Sequence, residues 1–322
     1  MPAEPAVLFL ALALDLALGD PRWLPHPVVL IGRLITLLES GLTKLASHER
    51  AAGILLLFLT AGTSAAMTWL VLYGLSAVNA LVGFLGAAYV SYTCLAVRSL
   101  HRESALVADS LTAGNREAAR RNLSYIVGRD THDLCDADMW RALVETVAEN
   151  TADGIVSPLF WLTVGGPVAG MAFKAVNTLD SMVGYKNERY LRLGWASARM
   201  DDLMNFIPAR LTALLMVIAA PLAGLSWHGA ARIALRDRHN HPSPNSGHPE
   251  AAAAGALGVR LGGAARYGGR PSWKEHIGDP LVPLDGRTYR SMIRLMYATT
   301  LLMAAVCLAT AWALKGFHVP QP

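Results

Sequence analysis

Four side chains whose oxygen atoms can bind a cation share one face of a predicted helix: Glu145, Glu149, Asn150 and Asp153. Like charges four residues apart destabilise a helix by roughly 0.2–0.5 kcal/mol per pair, so this face favours a cation. Carboxylate and amide oxygens are ligands that Mg²⁺ takes in proteins. Two interpretations stay open at this point: a Mg²⁺-binding face, or a solvated face whose counter-charge comes from Arg129 or Arg141.

A second stretch, 174–210, is dense in cations, carboxylates and amides and directly follows an uncharged run. Basic side chains hold phosphates and acidic ones hold Mg²⁺, so this mixture suits a phosphorylated, metal-bearing substrate. A lattice of surface ion pairs is the alternative. The candidate contacts are Lys174, Asn177, Asp180, Lys186, Asn187, Arg189, Asp201, Asp202, Asn205 and Arg210.

A third stretch, DLALGDPRWLPHP, begins at Asp15 and ends an apolar run with charged residues and prolines. An ionisable side chain such as Asp15 is costly at membrane depth and is therefore a functional candidate. Asp20, Arg22 and His26 follow as the chain leaves that run, and they are candidates for orienting a substrate. The alternative is an interface anchor in which Trp23 lies at headgroup level and Arg22 contacts lipid phosphate.

A fourth stretch, HNHPSPNSGHPE at 239–250, is rich in proline and small polar residues and is predicted to be irregular. Its three histidines match no common zinc-binding spacing, which disfavours a zinc site. Asn245, His248 and Glu250 are the side chains of this loop that could line a substrate site.

Familiar nucleotide-binding and nucleophile motifs are absent from the sequence. It contains no G-x-x-x-x-G-K-[ST], no G-x-G-x-x-G, no Cys-x-x-Cys and no G-x-S-x-G. A nucleotide would therefore be bound by an unfamiliar arrangement.

Apolar segments must position these groups, since 53% of the 322 residues are hydrophobic and only 16% are charged. Soluble domains average about 25% charged residues, so the composition indicates an integral membrane protein. Three cysteines, none at metal-binding spacing, exclude a disulfide scaffold. The net charge of +4 is explained by basic loops beside apolar spans, and without a basic stripe interleaved with aromatics we expect no nucleic-acid partner.

The predicted fold is all-α: one polytopic integral membrane domain over 1–322, embedded in the lipid bilayer. It has four to six membrane segments, depending on whether 155–173 and 211–231 cross or re-enter, and helical cytoplasmic loops. Glycines and prolines inside those two segments are compatible with broken helices. Membrane segments are predicted at about 5–18, 51–73, 77–97, 155–173, 211–231 and 295–314, with polar loops at 19–50, 99–154, 174–210 and 232–294.

Local signals add detail to this outline. No charge occurs between Arg50 and Arg98, and about 70 Å of helix there predicts two crossings with a hairpin at Gly74–Ser76. The stretch 102–148 predicts amphipathic helices that break at 114–115 and 128–131. A small-residue helix is predicted at 251–263, no alternation suggests a sheet, and the first segment is interpreted as a retained helix because it lacks a basic start.

Charge in the loops predicts the membrane orientation. If every segment crosses, the loops at 19–50, 99–154 and 232–294 share one side and hold 20 Lys and Arg residues, against six in 174–210. The positive-inside rule then makes the first group cytoplasmic. If 155–173 and 211–231 re-enter instead, every loop is cytoplasmic, and the two arrangements stay open.

Taken together, these stretches resemble the adenosylcobinamide-phosphate synthase family, the cobalamin-biosynthesis membrane proteins also called CobD or CbiB. The similarity runs nearly end to end and consists of long matches in order, which makes it specific. The chain departs from the family's usual pattern at His248 and His276, where an aromatic residue is common, and at AARYGG over 264–269. The matching segments are LGDPRWLPHP (18–27), IGR (31–33), IVGRDT (126–131), ETVAENTADG (145–154), PLF (158–160), KAVNTLDSMVGYKNERY (174–190), SARMDD (197–202), PAR (208–210), SPN (243–245), AGALG (254–258), LGG (261–263) and IGD (277–279).

The resemblance implies an amide-forming ligation at the cytoplasmic face of the inner membrane. A carboxylate of adenosylcobyric acid is joined to the amine of (R)-1-amino-2-propanol phosphate, or of ethanolamine phosphate, with ATP consumed. Phosphorylation of the carboxylate would give an acyl phosphate that the amine attacks, and such a transfer needs Mg²⁺ and cations rather than a covalent nucleophile. Other membrane-associated enzymes of the pathway and a second copy of the chain are expected as further partners.

On this resemblance, three roles are assigned to the candidate residues. Mg²⁺ or Mg-ATP would be bound by Glu145, Glu149, Asn150, Asp153 and Asp180. Substrate or phosphate would be bound by Arg22, Arg129, Lys174, Asn177, Lys186, Asn187, Arg189, Asn205, Arg210, Asn245 and Glu250. Catalytic orientation or proton transfer would involve Asp20, His26, Asp201 and Asp202, together with Glu145, Glu149 and Asp180.

Two other classes of protein compete with the enzyme. One is a non-catalytic membrane relative of the AmpE type, which modulates signalling, and the other is a corrinoid-binding or transport scaffold. The density of carboxylates, amides and cations near the bilayer favours the enzyme, because a scaffold has no use for so many groups that bind cations and phosphates.

Overall fold

Helices dominate the computed structural model, which describes residues 4–21, 23, 25–45, 48–185 and 187–317. In chain order the elements are α1 (Pro5–Leu18), α2 (Pro27–Leu45), α3 (Glu49–Val78), α4 (Ala80–Tyr92), α5 (Val97–Thr112), α6 (Arg116–Ser124), α7 (Asp136–Thr151), a π-helical turn (Ala152–Val156), α8 (Ser157–Val183), α9 (Trp195–Ala219), a 3₁₀ turn (Pro221–Ala223), α10 (Trp227–Asp237), α11 (Gly247–Leu257), β1 (Leu261–Tyr267), β2 (Arg270–Ile277) and α12 (Gly286–Phe317).

Long apolar helices confirm the all-α, polytopic membrane fold. Within the described residues, five helical stretches are long and apolar enough to cross a membrane. The apolar helix α1 has 14 residues, which is short for a crossing. The five stretches are Glu49–Val78, Ala80–Thr112, Asp136–Val183, Trp195–Ala219 and Gly286–Leu314.

Contacts between residues divide the chain into two units. The described residues of Met1–Ala96, Ser157–Asn205 and Ala304–Pro322 form the first unit. Those of Val97–Val156 and Phe206–Met303 form the second. The chain therefore leaves the first unit and returns to it twice.

In the first unit, α3 packs against α4 and α8, and α1 packs against α4. The hairpin predicted at Gly74–Ser76 is wrong by a few residues, because α3 continues to Val78. Asn79 ends that helix and caps the next one, its Oδ1 accepting a hydrogen bond from the Val82 N–H at 2.9 Å. Glycine is tolerated inside a long apolar helix, whereas the side chain of Asn79 satisfies a backbone donor that would otherwise be unpaired.

The predicted break inside the fourth membrane segment is confirmed. Gly165 and Gly166 have non-helical backbone angles within α8, with φ of 67° and ψ of −162° at Gly166, and Pro167 follows. That conformation is open essentially to glycine alone, and proline at the next position removes a further helical hydrogen bond.

The segment predicted at 211–231 is misplaced. The helix is α9, which ends at Ala219, and the chain then turns through Pro221 and Gly224, whose φ is 70°. Residues from Trp227 onward form a separate amphipathic helix, α10. The end of α9 was missed because hydropathy does not indicate a turn inside an uncharged run. The start of α9 was missed because that helix begins among charged residues, outside the run.

In the second unit, α5 and α6 confirm the amphipathic helices predicted within 102–148, and α7 follows them after the predicted breaks. Helices α10 and α11 approach closely at two glycines: a Cβ added to Gly255 would lie 2.2 Å from the carbonyl oxygen of Gly229. Small residues thus allow these two helices to pack closely.

Two predictions in this region are wrong. The helix predicted at 251–263 ends at Leu257, because Gly258 adopts a left-handed conformation with φ of 69°. The residues after it form an antiparallel hairpin of β1 and β2, where the sequence indicated no sheet. A strand is usually detected by alternation of apolar and polar residues. That alternation is missing here, because β1 is rich in glycine and alanine and β2 is mostly exposed.

Candidate functional site

Glu145 lies at the centre of a buried ion-pair cluster in the second unit, on α7. Its Oε2 accepts a hydrogen bond from Nη2 of Arg129, and its Oε1 accepts one from the backbone N–H of Gly262 at 2.7 Å. The side chains of Arg129 and Glu145 are 8% and 3% exposed. Nε of Arg141 lies 3.9 Å from Oε1 of Glu145. Arg129 therefore supplies the counter-charge that the sequence offered as one interpretation, but in a buried setting.

Glu149 lies one turn further along α7. Its Oε1 accepts a hydrogen bond from Oγ of Ser246 at 2.8 Å, and its other oxygen accepts none from the described residues. Asn150 donates from Nδ2 to the Thr146 carbonyl at 3.0 Å. Asp153 lies in the π-helical turn and not in the regular α-helix that the spacing assumed. Glu149 thus has a carboxylate oxygen that is available to a ligand.

A second buried carboxyl group, Glu250, lies on α11 and is 1% exposed. Nε2 of His241 lies 3.5 Å from Oε1 of Glu250 and 3.0 Å from Nζ of Lys274. Within the described part of the chain, Oε1 of Glu250 accepts no hydrogen bond. Because a buried charge without compensation is costly, these surroundings favour the protonated form of Glu250.

The charges around Glu250 shift several pKa values. Burial, together with the carboxylates of Glu145 and Glu149, raises the pKa of Glu250 well above its usual value. Burial alone would lower the pKa of Lys274, but Glu250 and the neighbouring carboxylates outweigh it and raise that pKa. Burial and the positive charge of Lys274 lower the pKa of His241 to about 4. His241 is therefore neutral at pH 7 and faces a charged lysine.

The β-hairpin is attached to this cluster through backbone groups. Gly262, with φ of +82°, gives its N–H to Glu145, and the carbonyl of Ala264 accepts from Nη2 of Arg141 at 3.0 Å. The carboxylate of Asp130 accepts from the N–H groups of Gly268 and Gly269 at 3.1 and 2.7 Å. Segments from four separate motifs, around 129, 145–149, 245 and 262, thus meet at one place.

A resident Mg²⁺ does not fit Glu145, whose two oxygens are engaged by Arg129 and Gly262. Among the described residues, no three histidine, cysteine, aspartate or glutamate side chains are grouped so as to hold a metal ion. This applies equally to the three histidines of the 239–250 loop. The carboxylate of Glu145 is instead paired with Arg129.

The first unit holds a second polar group, between α8 and α9. Asp201 accepts hydrogen bonds from Nδ2 of Asn177 at 3.2 Å and from Nδ2 of Asn205 at 3.0 Å. Oδ1 of Asn205 in turn accepts from Oγ of Ser157 at 2.6 Å. Asp201, Asn177 and Asn205, which the sequence named as candidate contacts within 174–210, therefore lie in one network.

Other predicted residues lie around this network. Lys174 and Asp180 are half-buried on α8, and Asp202 is half-buried on α9. A Cβ on Gly184 would lie 1.9 Å from Oδ1 of Asp180, so that carboxylate covers the backbone where α8 ends.

Two members of the 174–210 stretch have structural contacts. Oδ1 of Asn187 accepts from the N–H of Tyr190 at 3.0 Å and caps a turn. Nη2 of Arg189 donates to Oε1 of Glu39 on α2 at 2.8 Å. Lys186 lies outside the described residues.

At the N-terminal motif, Nε2 of His26 lies 3.3 Å from Oδ1 of Asp20. The hydroxyl groups of Tyr92 and Tyr89 on α4 donate to the carbonyls of Gly19 and Pro25 and hold this segment in place. Arg22 lies outside the described residues. Asp20 and His26, both candidates for orienting a substrate, therefore lie side by side.

Sequence reasoning missed His241 and Lys274 as members of the buried cluster. His241 was visible in the 239–250 loop, but only as a disfavoured zinc ligand. Lys274 lies on an undetected strand, so no periodic signal could have placed it. The sequence did find Arg210 and Asn245, which meet in the second unit with Nη1 of Arg210 3.3 Å from Oδ1 of Asn245.

Fold and site define a polytopic helical membrane protein with buried ion pairs built from distant sequence motifs. The family model described as CobD/Cbib protein matches residues 8–296, and the chain belongs to this family. It is 69% identical to "Cobalamin biosynthesis protein CobD" of Pelobacter propionicus, over 99% of this chain and 98% of that one.

Two further relatives show how widely the similarity extends. The chain is 59% identical to "Cobalamin biosynthesis protein CobD" of Geobacter metallireducens, over 92% of this chain and 94% of the relative. It is 44% identical to "Cobalamin biosynthesis protein CbiB" of Salmonella typhi, over 95% and 97%. No solved structure matches the chain significantly.

Proposed function

We propose that this protein is an ATP-dependent amide ligase of cobalamin biosynthesis. It would join adenosylcobyric acid to (R)-1-amino-2-propanol phosphate or ethanolamine phosphate, giving adenosylcobinamide phosphate. The observation that carries the proposal is the convergence of three separate family motifs in the second unit, where Arg129 and Gly262 both donate hydrogen bonds to Glu145. Membership of the CobD/Cbib family supports the cobalamin pathway as the setting.

The proposed reaction has two steps. An oxygen of the substrate carboxylate attacks the γ-phosphorus of ATP, and ADP leaves with the electron pair of the broken P–O bond. The amine nitrogen, after losing its ammonium proton to a base, attacks the acyl carbon, and inorganic phosphate leaves as the C–O bond breaks. A second proton is lost from nitrogen as the amide forms. Mg²⁺ would enter bound to ATP, as part of the co-substrate.

The second unit offers groups suited to these steps. Glu149 has a carboxylate oxygen that is open to a ligand and can accept the ammonium proton. Lys274 and Arg129 stay charged among the carboxylates, which suits stabilisation of phosphoryl oxygens. The site would face the cytoplasm, where ATP is available.

A turnover assay on detergent-purified protein tests the proposal. With adenosylcobyric acid, aminopropanol phosphate and Mg-ATP, we expect amide product and an equal amount of ADP. AMP and pyrophosphate would replace the phosphoryl step with adenylylation. Absence of product from folded, corrinoid-binding protein would favour a scaffold.

Glu149→Gln tests the proposed base. This variant should fold and insert but lose turnover by about 100-fold or more. Glu117→Gln, an exposed change on α6, is the matched control and should retain full turnover. Wild-type activity in Glu149→Gln would remove Glu149 from the mechanism.

A further inference from the structure

Four side chains that can carry positive charge surround the start of α11 in the second unit: Arg210, Arg238, His239 and His248. The rings of His239 and His248 meet edge to face with centroids 6.1 Å apart. Arg210 and Arg238 are close enough for their charges to act on each other and on His248. We refer to these four residues as the cationic cluster.

No carboxylate compensates the cationic cluster within the described residues. The guanidinium of Arg210 donates to the Phe206 carbonyl at 2.7 Å and contacts Asn245, and that of Arg238 donates to the Leu235 carbonyl at 2.5 Å. These acceptors are neutral. By contrast, Arg232 and Arg236 on α10, the helix that ends just before Arg238, bind the carboxylate of Asp279, at 2.8 and 2.9 Å. The cluster therefore holds cations without the anions that other arginines nearby have.

His248 gives a second, independent sign of a missing partner. Its side chain is only 8% exposed, and its Nε2 has no hydrogen-bond partner in the described part of the chain. A buried polar atom left unsatisfied destabilises the fold, and a ligand atom that bonded to it would remove that cost. Burial and then the charges of Arg210, His239 and Arg238 lower the pKa of His248 to about 4. An anion placed among these groups would act in the opposite direction.

The backbone also favours an anion here. Helix α11 begins at Gly247, one residue before His248. A Cβ on Gly247 would lie 2.3 Å from the carbonyl oxygen of Arg238, so the loop closes tightly and holds Arg238 beside the helix start. The N-terminus of a helix carries partial positive charge and favours phosphate groups.

We propose that the cationic cluster is a binding site for a phosphate monoester, with Arg210 and Arg238 as the principal contacts and the histidines completing the site. That the monoester is the phosphate end of the aminoalcohol substrate rests on the function proposed above. Asn245 and Ser246 are consecutive residues, and they contact Arg210 and Glu149 respectively. A substrate with phosphate at one end and an ammonium group at the other would therefore span from the cationic cluster to Glu149.

Direct binding tests the site without turnover. Ethanolamine phosphate and inorganic phosphate are titrated calorimetrically into wild-type protein in a maltoside detergent, which has no phosphate group. In Arg238→Gln we expect the dissociation constant for ethanolamine phosphate to rise about tenfold, as loss of a charge-assisted hydrogen bond predicts, and in His239→Gln we expect it to rise as well. Arg232→Gln is the matched control, since it removes the same charge from α10 outside the cluster, and should bind as wild type.

Two results would overturn the proposal. The first is unchanged affinity for ethanolamine phosphate in both Arg238→Gln and His239→Gln. The second is an equal loss of affinity in Arg232→Gln, which would mean that binding responds to charge in general. A lipid phosphate is the other source of the same chemistry. Titrations are therefore repeated in nanodiscs of phosphatidylcholine with and without phosphatidic acid. Competition by phosphatidic acid in the absence of any binding of ethanolamine phosphate would assign the site to a headgroup and overturn its substrate role.

Kinetic and binding measurements together test the phosphate site separately from the proposed ligase activity. Turnover with unchanged KM for aminoalcohol phosphate in Arg238→Gln would reject the site and keep the ligase. A rise in that KM, with unchanged KM for ATP, supports both. Absence of turnover together with cluster-dependent binding of inorganic phosphate would reject the ligase and keep a phosphate site.

Discussion

At the scale of single residues, the pair of Arg129 and Glu145 shows what a buried charge requires. Both side chains are less than a tenth exposed, so removal of one partner leaves the other charged in a poorly solvated place. Replacing a buried pair by apolar groups can be neutral, whereas breaking it by a single substitution is strongly destabilising.

We therefore expect Arg129→Met to lower the free energy of unfolding by about 3–5 kcal/mol. The double variant Arg129→Met, Glu145→Gln should recover part of that loss, because the stranded carboxylate is gone. Thermal unfolding in detergent measures both. Arg116→Gln, which breaks an exposed pair with Asp136, is the control and should change the midpoint little. Equal midpoints for the first variant and the control would contradict the buried pair.

His241 predicts a pH dependence of stability. Its pKa of about 4 in the folded protein lies below the usual value of 6.5, so the unfolded chain binds more protons between these two pH values. Stability contributed by His241 is therefore complete above pH 6.5 and is lost as pH falls toward 4, by up to about 3 kcal/mol.

The variant His241→Gln should flatten the stability curve between pH 6.5 and 4. Unfolding midpoints measured across this range test the expectation. His132→Gln changes an exposed histidine and should keep the wild-type slope. A wild-type slope in His241→Gln would show that other groups carry the dependence.

At the scale of elements, the β-hairpin is the part that the sequence did not indicate, and Gly262 shows why. The strand is positioned by a contact between residues far apart in the sequence. The backbone N–H of Gly262 donates to Glu145, which lies more than a hundred residues earlier. Helix positions, by contrast, follow from local patterns: α1 formed where an apolar run predicted a helix, and α5 and α6 formed where amphipathic helices were predicted. Boundaries failed where a cap or turn decided them, as at Asn79 and Pro221.

Gly262→Ala tests how the hairpin is attached. An alanine Cβ would lie 2.2 Å from the Glu275 carbonyl, at a φ of +82° that L residues rarely adopt. We expect a loss of at least about 1–3 kcal/mol and loss of turnover, because relief of the clash must shift the backbone N–H that donates to Glu145. Gly268→Ala separates strain from crowding: its φ is +57°, but no atom lies within 4 Å of the added Cβ. It should cost about 1–2 kcal/mol or less and keep activity.

At the scale of the whole molecule, the site was predictable as a set of residues but not as an assembly. The spacing of Glu145 and Glu149 indicated one helical face, and the structure confirms that they lie on α7. The sequence offered Arg129 as one possible counter-charge, but nothing in it could indicate that Gly262 binds the second oxygen of Glu145, because that contact depends on how distant segments fold together. The same limit applied to Lys274, whose partners lie on two other elements.

The side of the membrane on which the loops 99–154 and 174–210 lie is a property of the whole molecule. If groups in both 99–154 and 174–210 bind cytoplasmic substrates, both loops must face the cytoplasm, which needs the broken helix α8 to re-enter rather than cross. The exposed Cys135 is first replaced by serine, leaving the buried Cys94 and Cys307, and a single cysteine is then placed at Glu117 or at Glu188. We expect a membrane-impermeant maleimide to label neither position in intact cells and both after permeabilisation. Labelling of the second position in intact cells would place 174–210 outside and remove Lys174 and Arg189 from any site that binds ATP.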